Sequence, residues 1–469
     1  MKDLSKLYHE LGYTGPLPGV RGGEPGLPPL DEKGLAQLEK LLKDEPQKTL
    51  TRIRDDLNYP LTDQEIRDLI AEARRAFDNP DDFVVKRQRM REVTRGPAKP
   101  LPLEAKQYPD IKVDPDETKL EPKADALGWA VNTGFYWLRD KATIKTAKST
   151  FLFHDNGASN FIYTIKDKAG HPLETDQKIT VALIGDFGSG LYYSRFIAKK
   201  IAGFQPHYVI HLGDVYYAGR PKEFEENFQK PLDPLLTTSQ VFTLNANHEM
   251  MSGAFAYFNY IKYKRTTRQG WAAQDQEGSY FCIRNENYQL IGIDTAYHEN
   301  GRHNNEKLQT WLGERLRQGK QASPKRTNIL LSQNEPYRLG QENFTGVYHD
   351  LKKFIDAKLI DFWFWGNTHY GALFDKTNKL PFIGSCMGHG GHPIYKKDVE
   401  EDTKKHYDLL KKKKSVAPIQ WVELTPRFPD GIRPEMGNHG FCIMELQNGA
   451  VRLTYYDWLG KERFKWENS

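Results

Sequence analysis

Four stretches of this chain end in residue types suited to metal-ion chemistry. Gly185-Asp186-Phe187-Gly188 follows the apolar run 180–184, and Gly213-Asp214-Val215-Tyr216-Tyr217 follows 208–212. Asn245-Ala246-Asn247-His248-Glu249 follows 241–244, and Gly366-Asn367-Thr368-His369 follows 362–365. Carboxylate, phenol, amide and imidazole groups together supply the mixed oxygen and nitrogen donors of a metal site. A Gly-Asp after a strand is ordinarily a turn, and a lone Asn-His-Glu carries no information. Four such clusters at the ends of buried strands describe one site, because ligands in open α/β sheets bind beyond the carboxyl ends of strands. The glycines beside the aspartates let the chain turn sharply straight out of a strand.

The elements that carry these clusters alternate in type. A buried strand at 180–184, a helix near 192–202 and a buried strand at 208–212 precede apolar runs at 241–244, 290–293, 329–331 and 362–365. Short apolar strands separated by helical stretches predict an α/β domain with helix-covered sheets. Near the end, 441–446 and 451–456 flank Asn448-Gly449, a hairpin signal. Another hairpin is expected from 151–153 and 160–165. Residues 396–415 read as a charged, solvated helical insertion. Upstream the texture differs. Residues 15–29 are a Gly/Pro-rich loop. Helices are expected at 31–43, with Leu35, Leu38, Leu41 and Leu42 on one face, and from Thr62 to Pro80. The basic run 86–95 reads as a solvated face, with an anionic partner as the alternative, and 96–122 as an extended Pro-rich connection. The expected division is therefore 1–145, helical and Pro-rich; 146–177, a hairpin segment; and 178–469, the catalytic domain.

A chain of 469 residues can hold two or three domains and bury a large core. Its 67 basic and 62 acidic residues leave a net +5, too weak over this length to imply nucleic acid. The apolar runs fall short of the roughly 18 residues of a membrane helix. Met1-Lys2-Asp3-Leu4-Ser5 leads into no apolar h-region, so the expected location is cytoplasmic. Three cysteines without CxxC spacing argue against a zinc ribbon or a disulfide scaffold. Cys282 and Cys442, each in an apolar run, read as small buried hydrophobes.

In its motifs the chain resembles the calcineurin-like metallophosphoesterases, and within them the purple-acid-phosphatase-like branch. The resemblance spans about residues 180–392, with the terminal hairpin completing the same domain. The family motifs GDxG, GDxxY, GNH[ED], VxxH and GHxH read here as GDFG (185–188), GDVYY (213–217), ANHE (246–249), LLSQ (330–333) and GNTH (366–369). The resemblance implies an α/β fold, a two-sheet β-sandwich flanked by helices, with a dinuclear metal site at the strand ends. Asp186, Asp214, Tyr217 and His369 match the first metal site, which would hold Fe, or Mn or Zn. The tyrosine points to the purple branch, where a phenolate ligates ferric iron. Asp214 would bridge to a second site containing Asn247. The two histidines of that second site are replaced by Gln333 and Asn367, with Asn334 and Glu335 as alternative neighbours at the strand end. Imidazoles have become amides that offer only neutral oxygen. Such a set suits Mn²⁺ or Mg²⁺, or leaves the position vacant. His248 would sit near the leaving group as donor or general acid, with Glu249 orienting it.

The expected function is a metal-dependent phosphoesterase that hydrolyses phosphomonoesters or phosphodiesters by metal-hydroxide attack, with an altered second metal site. The alternative is a catalytically weakened phosphoesterase fold serving as a binding or regulatory module. Residues 1–145 are a candidate protein-partner region. Gly388-His389-Gly390-Gly391-His392 reads equally as the lining of a phosphate pocket or as a surface turn.

Overall fold

Uninterrupted apolar strands need both faces covered, and the chain answers with two sheets. In the computed structural model the described residues are 32–57, 62–78, 120, 161–173, 176–263, 274–427 and 435–468. Those up to 120 fall in one compact unit, and those from 161 onward in another.

In the larger unit, one sheet holds β2 (Ile179–Ile184), β3 (Tyr208–His211), β4 (Gln240–Thr243), β12 (Gly440–Gln447), β13 (Ala450–Asp457) and β14 (Glu462–Glu467). Their order is β14-β13-β12-β2-β3-β4. The other sheet holds β1 (Ile162–Thr164), β5 (Phe281–Arg284), β6 (Tyr288–Gly292), β7 (Thr327–Ser332), β8 (Phe362–Trp365), β9 (Gly371–Phe374), β10 (Ile383–Met387) and β11 (Ile419–Val422). These run in the order β1-β5-β6-β7-β8-β10-β9-β11. Successive strand residues face opposite ways. Val181, Leu183, Ile210 and Phe242 of the first sheet therefore share a buried core with Ile283, Leu290, Ile329, Leu331 and Phe364 of the second. The alternate set of the second sheet, Leu330, Trp363 and Trp365, lies in a separate core with helical residues Leu312, Leu316, Leu351 and Phe354. The result is a two-sheet sandwich flanked by helices.

Among the described residues the helices of this unit include α4 (Tyr192–Phe204), α5 (Lys230–Leu236, preceded by the helical turns Pro221–Glu223 and Phe224–Gln229), α6 (Asn247–Met250), α7 (Phe255–Tyr263), α8 (Glu306–Gln321), α9 (Gly346–Asp356) and α10 (Lys396–Lys411). The smaller unit contains α1 (Glu32–Asp44), α2 (Pro46–Leu57) and α3 (Asp63–Asp78). There Leu42, Leu50, Ile66 and Ile70 are buried, and Arg74 grips both carboxylate oxygens of Glu39 at 2.9 and 2.6 Å. The loop at 15–29 and the basic run 86–95 lie outside the described residues. Among the described residues, no helix is long and apolar enough to cross a membrane.

One expectation changes and one gains a partner. The strand at 162–164 pairs in parallel with β5, Ile162 opposite Cys282; its expected hairpin partner at 151–153 lies outside the described residues. The insertion helix α10 is not solvated all round. It buries Val399, Thr403 and His406, which recur at helical spacing on one face. The polar pair is satisfied locally, Thr403 donating to the Val399 carbonyl and His406 accepting from the Gly340 N–H at 3.2 Å.

The terminal hairpin is structural. β12 lies antiparallel to β2, with Leu183 opposite Cys442 and Ile179 opposite Leu446. Its turn places Asn448 at φ +51° and Gly449 at φ +82°, as a tight hairpin turn requires. A fragment ending before residue 435 should lose cooperative thermal melting, because β2 would become an unpaired edge above an open core. A soluble fragment with a sharp transition would contradict this.

Candidate metal centre

Each motif residue stands within four positions of a strand end. β2 leads to Asp186, β3 to Asp214, β4 to Asn247, β7 to Gln333, and β8 to Asn367 and His369. Backbone bonds tie these loops across both sheets: the Gly185 N–H donates to the Met387 carbonyl at 3.1 Å, Asp186 to Gly213 at 3.0 Å, and Gly366 to Gln333 at 3.0 Å. Asp186, Asp214, Asn367 and His369 have φ of +55°, +77°, +67° and +54°. Left-handed backbone at non-glycine residues stores roughly 1–3 kcal/mol each and collects at functional sites. Close approach fixes two glycines. A Cβ on Gly366 would stand 2.8 Å from Asp186 Oδ2, and one on Gly388 would stand 2.6 Å from the His369 nitrogen.

Ligand atoms of Asp186, Asp214 and His369 all lie within 4.8 Å of one another, and all three residues are buried. The Tyr216 hydroxyl sits among them, 2.9 Å from Asp186 Oδ1, 3.3 Å from Asp214 Oδ2 and 3.2 Å from His369 Nε2. Burial pushes the Asp186 carboxyl up to about 7 and raises Asp214 likewise. It pulls His369 down to about 4, so the imidazole is neutral near pH 7. Asp214 Oδ1 is buried with no hydrogen-bond partner. Two carboxyls that resist ionising, a neutral imidazole and a partnerless carboxylate oxygen form a group that a cation would complete.

The GDxxY register assigns the aromatic ligand to Tyr217, but the hydroxyl brought to this group belongs to Tyr216. Val215 bridges Gly188 and the Tyr216 N–H donates to the Gly188 carbonyl at 2.9 Å, which anchors the turn beside the first motif. Tyr217 is buried next to it and presents its carbonyl to His248 Nδ1 at 2.6 Å. Two adjacent tyrosines are the visible signal; the hydroxyl seen among the ligand atoms is that of Tyr216.

The other half is a cluster of amides. Gln333 Nε2 lies 2.8 Å from Asn367 Oδ1, 3.0 Å from Asn247 Oδ1 and 3.3 Å from Asp214 Oδ2. Asn367 Nδ2 donates to Glu335 Oε2 at 2.6 Å, and the other Glu335 oxygen pairs with Arg338. Asn334 is occupied elsewhere, accepting from Thr295 Oγ1 at 2.7 Å. Glu335 thus stands behind Asn367, and Arg338 joins the site without having been singled out by its type.

A family model described as calcineurin-like phosphoesterase matches residues 179–371. Comparison with curated proteins finds no match. Among solved structures, purple acid phosphatase from yellow lupin (Lupinus luteus) seeds is 16% identical, with a TM-score of 0.43 over 64% of this chain. The match covers 55% of the lupin chain, about half its length. GAP50, the inner membrane complex anchor of Plasmodium, is 11% identical, with a TM-score of 0.46 over 62% of this chain and 88% of its own.

In the matched segment His248 lies in the first turn of α6, its ring 4.5 Å from that of Tyr216. Burial holds its pKa below the usual value. Because a carbonyl can only accept, His248 Nδ1 carries the proton in its bond to Tyr217, which leaves the lone pair on Nε2. The Tyr217 carbonyl thus holds the His248 ring through Nδ1. Glu249 is fully buried, and burial raises its carboxyl well above the usual range. The glycine-rich segment at 388–392 is no exposed turn, since His389 and His392 are both buried. His392 stacks on His369 at 3.8 Å and 15° and lies 4.9 Å from the Tyr216 ring. Arg302 is held by Asp350 at 2.9 and 2.7 Å.

Proposed function

We propose that this domain hydrolyses phosphomonoesters or phosphodiesters at a metal ion held by Asp186, Asp214 and His369, with the Tyr216 oxygen beside them. The observation that carries this is the convergence of those three buried ligand groups at the ends of β2, β3 and β8. Bound there, the metal would polarise a phosphoryl oxygen and lower the pKa of a coordinated water. Iron, manganese and zinc all accept carboxylate with imidazole, and a phenolate from Tyr216 would favour ferric iron, in keeping with the purple-acid-phosphatase-like motif order.

The chain's own residues do the rest. With a cation bound, Asp186 and Asp214 would supply negative charge in a buried region, where electrostatic effects are strong. His369 is held neutral and packed against His392, so its orientation is fixed. His248, anchored through Nδ1, directs Nε2 as a proton acceptor, or as a donor to a leaving oxygen once protonated. We place the protein in the cytoplasm, and residues 1–145 as a region for a protein partner.

A second reading, a phosphoesterase fold retained for binding or regulation, draws on one observation: amides occupy the second half of the centre. Aryl phosphate and bis(aryl) phosphate probes separate the readings. Metal-loaded protein should hydrolyse at least one of them, and Asp186→Asn should not. Absence of hydrolysis by folded, metal-loaded protein would favour the binding module.

A further inference from the structure

We propose that the side-chain amide of Gln333 stands where the family's second metal ion would sit, so that the centre is built for a single cation. The first-cation reading above underlies the word single. The filling of the second position stands on its own geometry.

Three oxygens from three loops, Asn367 Oδ1, Asn247 Oδ1 and Asp214 Oδ2, converge on one nitrogen, Gln333 Nε2, at 2.8, 3.0 and 3.3 Å. Oxygens converging on a point from separate strands is the arrangement expected around a hard cation. Here the centre of that arrangement is an N–H₂ group. Its two hydrogens serve the two nearest oxygens, and its partial positive charge faces the third. All three separations are hydrogen-bond distances from one amide group.

The orientation of each amide follows from its neighbours. Asn367 Nδ2 donates to Glu335 Oε2 at 2.6 Å, so Asn367 Oδ1 must face Gln333. Glu335 is itself fixed by Arg338. Turning Gln333 over would bring its Oε1 against three other oxygens with no hydrogen between them, an arrangement that only a cation would tolerate. The stem is fixed as well. The Gln333 carbonyl accepts from the Gly366 N–H at 3.0 Å, and a Cβ on Gly213 would stand 3.0 Å from Gln333 Cγ. Arg338, Glu335, Asn367 and Gln333 thus form a chain of charge and hydrogen bonds that ends in an internal stand-in for a cation. The two histidine-to-amide changes act together: one supplies the donor, and the other supplies an acceptor whose direction Glu335 sets.

The test is a titration of Mn²⁺ and of Zn²⁺ into metal-stripped protein, read as bound equivalents by native mass spectrometry and as a shift in melting temperature. The proteins are wild type, Gln333→Glu, and the double variant Gln333→His with Asn367→His. Gln333→Glu keeps the shape of the side chain but places an unpaired charge among the three oxygens, which a cation must neutralise. The double variant adds no charge and so covers the case in which Gln333→Glu fails to fold. One equivalent more in a folded variant than in wild type, with an added metal-dependent rise in melting temperature, is the expected result. Two equivalents bound by wild type, or no added equivalent in a folded variant, would overturn the proposal. No metal in wild type with one equivalent in the variants would support it while removing the first-cation reading.

Discussion

Asp214→Asn should strip the centre of its metal and abolish hydrolysis, with the fold intact. Asp214 touches both halves of the site, through Tyr216 and through Gln333, and its second oxygen has no hydrogen-bond partner. The amide removes the charge and puts a donor where a cation must sit. Loss of an outer partner of a ligand costs about 10–100-fold in metal affinity, and loss of a direct ligand should exceed that. Stability of the metal-free protein should move the other way. Asp214 is buried near Asp186, and burial disfavours its ionised form, so a neutral isostere relieves an unfavourable charge. Metal content and melting temperature, each with and without Mn²⁺, check both halves. A variant that keeps wild-type metal content would remove Asp214 from the centre.

The second large effect separates two adjacent tyrosines. Tyr216→Phe removes the hydroxyl that lies between Asp186, Asp214 and His369, and should weaken metal binding by about 10–100-fold. Tyr217→Phe leaves in place the backbone carbonyl bonded to His248 Nδ1, and should retain the metal. If the bound ion is ferric iron, the visible phenolate-to-iron band should vanish in Tyr216→Phe and persist in Tyr217→Phe. The reverse pattern would return the ligand role to Tyr217, as the motif register alone suggests.

How far the sequence reached depended on whether the controlling interactions are local. β8 is legible because Phe362, Trp363, Phe364 and Trp365 are all buried, and a strand covered on both faces reads as an unbroken apolar run. The strand at β1 is legible too, but its pairing with β5 is not, because its partner Cys282 lies far along the chain, and nothing near Ile162 announces a parallel neighbour. The buried side of α10 was hidden for another reason. Two of its three inward residues, Thr403 and His406, are polar and satisfied by backbone groups, so the apolar stripe is nearly absent.

In the centre, residue types were legible and directions were not. Asp186, Asp214 and His369 follow strands recognisable from their apolar runs, and the structure places their ligand atoms together. The direction of the Gln333 amide is set by Asn367, then by Glu335 and Arg338, a sequence of contacts between two separate strand ends. The Tyr216 hydroxyl reaches the group from a loop tied to Gly188 by contacts that are distant in the chain. Left-handed backbone at Asp186, Asp214, Asn367 and His369 is likewise a property of the assembled loops, since local preference favours it only weakly for Asp and Asn.

Metal content per chain tests the central claim most directly. Protein purified without added metal is analysed for bound metal, and hydrolysis of an aryl phosphate is measured on the same sample before chelation, after chelation and after metal return. The account predicts one equivalent of metal per chain, with hydrolysis that disappears on chelation and comes back with the metal. Hydrolysis that survives complete removal of metal, or a folded protein that takes up no metal at all, would contradict it.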